Sequence, residues 1–191
     1  MSAKRIALVV VVGFVFGAAD QYLGSRMMLG DHFALGPWAS TVSAMSAPWL
    51  LLPFLVGCTE ARAGRAAALG LIATLAALIG YFALMWSPVE GVALSRSLPQ
   101  LGVLLGSQRA NIVGGLLTGP LFGYLGQRWR VGASWAAAAL LAGAFCLEPL
   151  ARWRVGQLSP PLSVWGVETA AGALGALCLA GAALARRRRL S

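Results

Sequence analysis

Long apolar runs, bounded by charge, tryptophan or proline, recur along this chain and leave little sequence between them. They fall at about 6–23, 38–56, 66–86, 108–125, 133–147 and 164–184. A helix needs about 20 apolar residues to cross the hydrocarbon of a bilayer, more than most buried helices of soluble proteins supply in one stretch. Inside hydrocarbon every backbone N–H and C=O must find its partner within the protein, so runs of this length are expected to span as helices. The expected fold is therefore all-α integral membrane: about six transmembrane helices in one bundle, forming a single domain over 1–191. Composition agrees, because only 11% of residues are charged and 59% are hydrophobic, whereas a soluble domain is about one quarter charged.

Several segments depart from simple spanning helices. Pro48, Pro53 and Pro120 fall inside apolar runs and are expected to kink them, freeing carbonyls that need partners in the bundle. The longest connection, 87–107, is expected to be an outer loop or an interfacial segment; its apolar stretch Leu101 to Leu105 is too short to span. If the fourth helix instead begins near Leu101, Arg109 is buried beside Asn111 and becomes the natural partner of Asp20 or Glu168. At the N-terminus, Lys4-Arg5, the first apolar run and Gly17-Ala18-Ala19 also fit a cleavable secretory signal. The run is long for a signal core, and a retained signal-anchor is the expectation.

Charge sets the orientation. With both termini cytoplasmic, the inner segments carry Lys4, Arg5, Arg62, Arg65, Arg128, Arg130 and Arg186 to Arg189, and the outer ones Arg26, Arg96, Arg109, Arg152 and Arg154. That asymmetry follows the positive-inside rule. The expected location is the bacterial inner membrane, crossed several times. The net charge of +9 flanks apolar spans and does not form a soluble basic face, so the expected partner is the lipid bilayer and not nucleic acid.

The six acidic residues distribute the opposite way. Asp20, Asp31, Glu90, Glu148 and Glu168 fall in the outer half, and Glu60 alone falls inside. Asp20, Glu148 and Glu168 lie at the edges of apolar runs, where an acid is costly and usually has a purpose. Gly13, Gly17, Asp20 and Gly24 recur at helical spacing, as do Glu168, Gly172 and Gly175; small residues mark faces where membrane helices meet closely. Asp20 and Glu168 are thus expected to face protein. Glu148 is followed by Pro149, which places it at a helix end within reach of water. The fourth run adds Asn111, Gly115 and Thr118 on one face, the third adds Gly70, Thr74 and Tyr81, and the second adds Ser43 and Ser46. The candidate binding residues are Asp20, Gln21, Arg109, Asn111, Glu148 and Glu168, as one outward-facing polar cluster.

Catalytic and metal motifs are absent. The single histidine, His32, stands beside Asp31, and Cys58, Cys146 and Cys178 are widely spaced, so neither a zinc motif nor a redox pair is formed. No phosphate loop, dinucleotide fingerprint or nucleophile elbow is present. No cofactor, metal or catalytic residue is expected.

The segment Phe16-Gly17-Ala18-Ala19-Asp20-Gln21-Tyr22-Leu23-Gly24, with Ser46-Ala47-Pro48-Trp49 and an Ala-rich third run ending in Gly80-Tyr81-Phe82, resembles a family of small polytopic membrane proteins from high-GC bacteria. That family carries a domain-of-unknown-function label. The resemblance covers the first half of the chain and implies a bacterial inner-membrane protein, with no reaction or substrate. In size and span count the chain is also similar to the substrate-capture subunits of energy-coupling-factor vitamin transporters. Their small-residue first helix docks a membrane protein partner, a part that Gly13 and Gly17 would play here. The leading expectation is a small-solute binding or transport component. The alternatives are a membrane-embedded enzyme that uses one carboxylic acid on an apolar substrate, with Trp49 and Tyr22 shaping its pocket, and a structural or assembly partner with no small-molecule site.

Overall fold

Eight helices account for the regular structure of residues 2–28, 36–86, 98–132, 134–158 and 161–188, which the computed structural model of the chain describes. They are α1 (Ala3–Met28), α2 (Gly36–Ser43), α3 (Ala47–Cys58), α4 (Ala63–Met85), α5 (Leu98–Ser107), α6 (Arg109–Gly132), α7 (Trp135–Arg154) and α8 (Leu162–Arg188). Four of them are long and apolar enough to cross a membrane, through Ala3–Gly24, Ala63–Met85, Trp135–Arg154 and Leu162–Ala182. Exposed Leu8, Val11, Val15, Ile79, Leu140, Leu174 and Leu177 on these helices form the kind of surface that hydrocarbon solvates. The chain is an all-α membrane protein.

Two runs fold differently from a single straight crossing. The stretch 38–56 is divided between α2 and α3, with a break at Ala44–Ser46 just ahead of Pro48. Proline lacks an N–H and disfavours helical backbone in the residue before it, so a helix restarts there more readily than it passes through. The 12 residues of α3 rise about 18 Å, short of the roughly 30 Å of hydrocarbon. The fourth helix begins at Arg109 and continues past Leu125 to Gly132, and the connection before it contains α5. Residues 87–97, with Glu90 and Arg96, and residues 29–35, with Asp31 and His32, lie outside the described residues.

Glycine decides which helices touch. A Cβ on Gly17 would overlap the carbonyl oxygen of Ala77, and one on Gly80 that of Phe14, so α1 and α4 meet backbone to backbone. Gly13 faces Ala73 and Ala76 in the same seam. The docking surface expected of Gly13 and Gly17 is therefore filled from within the chain, by α4. On its other side α4 meets α6, where Gly70 lies against Gly119 and Gly123 against Ala66. Helix α3 joins the same packing as Gly57 abuts Gly123 and Gly126 abuts Phe54. Close backbone approach of this kind is what small residues provide where lipid offers no hydrophobic drive between helices.

Helices α7 and α8 form an antiparallel pair beside this group. Gly172 of α8 faces Phe145 and Cys146 of α7, and Phe54, Phe122, Leu125 and Leu141 join α7 to α3 and α6. Ser134 caps the start of α7 by accepting from the Ala137 N–H at 3.4 Å. At its end Gly156 takes φ of +69°, while the Gln157 and Gly156 N–H groups return to the carbonyls of Arg152 and Trp153. That is a Schellman ending, which a left-handed glycine makes possible.

Contacts between elements fix the two ends of the bundle. Arg5 of α1 pairs with Glu60 after α3 at 2.5 Å, and Gln127 of α6 donates to the Ala61 carbonyl at 2.9 Å. The start of α1, the α3–α4 turn and the end of α6 thus share one end. At the other end the close of α7 meets the start of α3.

Candidate functional site

The break between α2 and α3 is the centre of the site. Where a helix is interrupted, its last carbonyls and first N–H groups lose their helical partners and must be satisfied by something else. Ser46, the residue before α3, makes no side-chain cap of its own. A carboxylate from far along the chain takes that role. Glu148 of α7 accepts from the Ser46 N–H at 2.7 and 2.9 Å and from the Ala47 N–H at 2.6 Å. Anions are favoured at this position because the first turn of a helix presents unpaired N–H groups and the positive end of its dipole.

Arg152, one turn beyond Glu148 on α7, completes the arrangement. Its Nε donates to Glu148 Oε1 at 2.8 Å. Its Nη2 donates to the Ala44 carbonyl, and at 3.3 Å to Ser46 Oγ. The guanidinium also stands 5.3 Å from the centre of the Trp165 ring, in cation–π geometry. One ion pair therefore satisfies both sides of the broken helix, the carbonyl end through Arg152 and the N–H end through Glu148.

Glu168 of α8 lies beside this pair. Its carboxylate is next to that of Glu148 and within the field of Arg152. The residue is 4% exposed, and among the described residues neither carboxylate oxygen has a hydrogen-bond partner. Two carboxyl groups thus stand beside one guanidinium. Four hydrogen bonds from three donors occupy both oxygens of Glu148, so the acceptors still open are those of Glu168.

Asp20 reaches the same helix start from the other side. Trp49, in the first turn of α3, donates from Nε1 to Asp20 Oδ2 at 3.3 Å. The Trp49 ring meets Phe16 of α1 edge-on at 5.5 Å and Tyr81 of α4 at 6.0 Å, and Tyr81 in turn meets Phe82. The three sequence segments around Asp20, Trp49 and Tyr81 are thus one contact in space.

Of the six candidate residues, Asp20, Glu148 and Glu168 converge on the start of α3, and half-buried Gln21 follows Asp20 on α1. Arg109 and Asn111 do not join them. Both are exposed in the first turn of α6, which packs chiefly on α4 and α3, and Asn111 donates to Gln108 at 2.6 Å. The arginine that meets the acids is Arg152. Its signal in the sequence was the spacing of Glu148 and Arg152 by four, which becomes meaningful once α7 runs through Pro149 to Arg154. Glu148 is accordingly held within the protein and not released at a helix end. Among the described residues no group of three or more His, Cys, Asp or Glu side chains is placed to hold a metal ion. No family model matches the chain, and neither a curated protein nor a solved structure matches it.

Proposed function

We propose that this chain is a small-solute binding or transport component of the bacterial inner membrane, and that its solute carries one positive charge. The observation that carries this reading is Glu168: a carboxylate 4% exposed, with both oxygens open, beside an ion pair that is already saturated. A buried charge without a partner is costly at membrane depth and is usually tied to a solute pathway. Two open oxygens are too few for the six to eight ligands of a calcium-like ion. They match a group with two N–H donors, a primary ammonium or a guanidinium fork.

The interrupted second crossing supports the same reading. Discontinuous helices whose ends meet ionisable side chains are how membrane transporters build sites near the middle of the bilayer. In the proposed topology the protein crosses six times, with α2 and α3 together making the second crossing and α6, lying along α4, the fourth. Both termini are cytoplasmic, because the end that holds Lys4, Arg5, Arg62, Arg65, Arg128 and Arg130 is the basic one. The polar cluster then faces the outer side. Kinship with the high-GC family is likewise proposed, on the sequence of the segments around Asp20, Trp49 and Tyr81.

The test is purification of the wild type and Glu168→Gln from native membranes in mild detergent, followed by mass spectrometry of the small molecules that remain bound. A singly positive compound held by the wild type and missing from an equally folded Glu168→Gln supports the proposal. The same compound in both, or no cation in either, defeats it.

A further inference from the structure

We propose that the opposite, basic end of the bundle is a binding surface for anionic phospholipid headgroups, with Arg62, Arg65 and Arg128 at its centre. This is independent of the solute site. The acid at that end, Glu60, is buried and already paired with Arg5 at 2.5 Å. Lys4, Arg62, Arg65 and Arg128 remain exposed, and among the described residues none of them has an acidic partner.

Packing brings these cations to one place. Arg62 and Arg65 flank the start of α4, and Arg128 lies near the end of α6. The Gln127 bond to the Ala61 carbonyl fastens those two helix ends together. Lys4 precedes Arg5, whose ion pair with Glu60 ties the start of α1 to the same turn. The apolar spans of α1 and α4 begin at Ala3 and Ala63, so the cations stand at the level of lipid headgroups. Gly64, between Arg62 and Arg65, has open space where a side chain would be, and a phosphate can approach the backbone there.

A cluster that served only to set topology would show no preference among lipids in the folded protein. A headgroup surface gives saturable binding that depends on charge. Each arginine near an anionic surface contributes about five-fold in affinity, so removing three weakens it about a hundred-fold.

Native mass spectrometry of the full chain in detergent, titrated with phosphatidylglycerol or phosphatidylcholine, tests this. The wild type is expected to retain phosphatidylglycerol and not phosphatidylcholine. The triple variant Arg62→Gln, Arg65→Gln, Arg128→Gln should lose that retention, while Arg154→Gln at the other end keeps it. Added salt should carry the wild type toward the variant without any mutation, which keeps the test valid if the triple variant folds poorly. Equal retention of the two lipids by the wild type, unchanged retention by a folded triple variant, or displacement by inorganic phosphate alone would overturn the proposal.

Discussion

Helices α1, α3, α4 and α6 are joined by backbone meeting backbone, whereas the α7–α8 pair is joined to them by side chains. In the first group Gly17, Gly57, Gly70 and Gly126 leave no room for a Cβ. In the second, hydrogen bonds from Glu148 and Arg152 to residues 44–47 and an apolar cluster span the junction, and Gly143, Gly166, Gly175 and Gly181 face open space. A glycine seam has one close-packed arrangement. The α7–α8 pair is instead held to this frame by a clamp of polar side chains at the start of α3 and by the apolar cluster. Glu168 sits on that pair, beside Glu148 and Arg152.

The contrast can be broken in four places. Glu148→Ala leaves the Ser46 and Ala47 N–H groups without their acceptor and Arg152 without its ion partner. It should cost about 3–5 kcal/mol, read as a fall in thermal unfolding temperature in detergent. Gly17→Ala sets a methyl against the Ala77 backbone, which cannot yield as a side chain can, and should cost about 1–3 kcal/mol in the same assay. Trp49→Phe keeps the aromatic packing and removes the donor to Asp20, at a cost of about 1 kcal/mol. Gly175→Ala should do the reverse of Gly17→Ala, leaving stability unchanged or raising it by up to about 1 kcal/mol, because the position is open and alanine favours helix. Equal losses from Gly17→Ala and Gly175→Ala would abolish the distinction between the two regions.

Much of this arrangement was legible in the chain. Apolar length gave the helical membrane class, and the spacing of Gly13, Gly17, Asp20 and Gly24 gave a protein-facing stripe; its partner turned out to be α4. Glu168 was placed on a packed face by the same periodicity. The break between α2 and α3 is hidden because hydropathy is continuous through it, and Pro48 in an apolar run implies a kink where the chain in fact starts a new helix. The clamp was invisible for a different reason: Glu148 meets Ser46 across 102 positions, a pairing that no local pattern encodes. Pro149 pointed the wrong way, since a proline reads as a helix end, yet α7 accommodates it and brings Arg152 under Glu148. The seams of Gly57, Gly123 and Gly126 depend on α3 and α6 being neighbours, which the sequence does not state.

The central claim is that Glu168 is an open receptor for a single positive charge. Trp165, beneath Arg152 and three residues from Glu168, makes this measurable by intrinsic fluorescence. The purified wild type and Glu168→Gln are each titrated with alkylammonium and guanidinium compounds, and with sodium and potassium as controls. A saturable change is expected in the wild type with at least one organic monocation, weakened by about ten-fold or more in Glu168→Gln through loss of a charge-assisted hydrogen bond. Superimposable curves for the two proteins, or no saturable response to any cation, would contradict it.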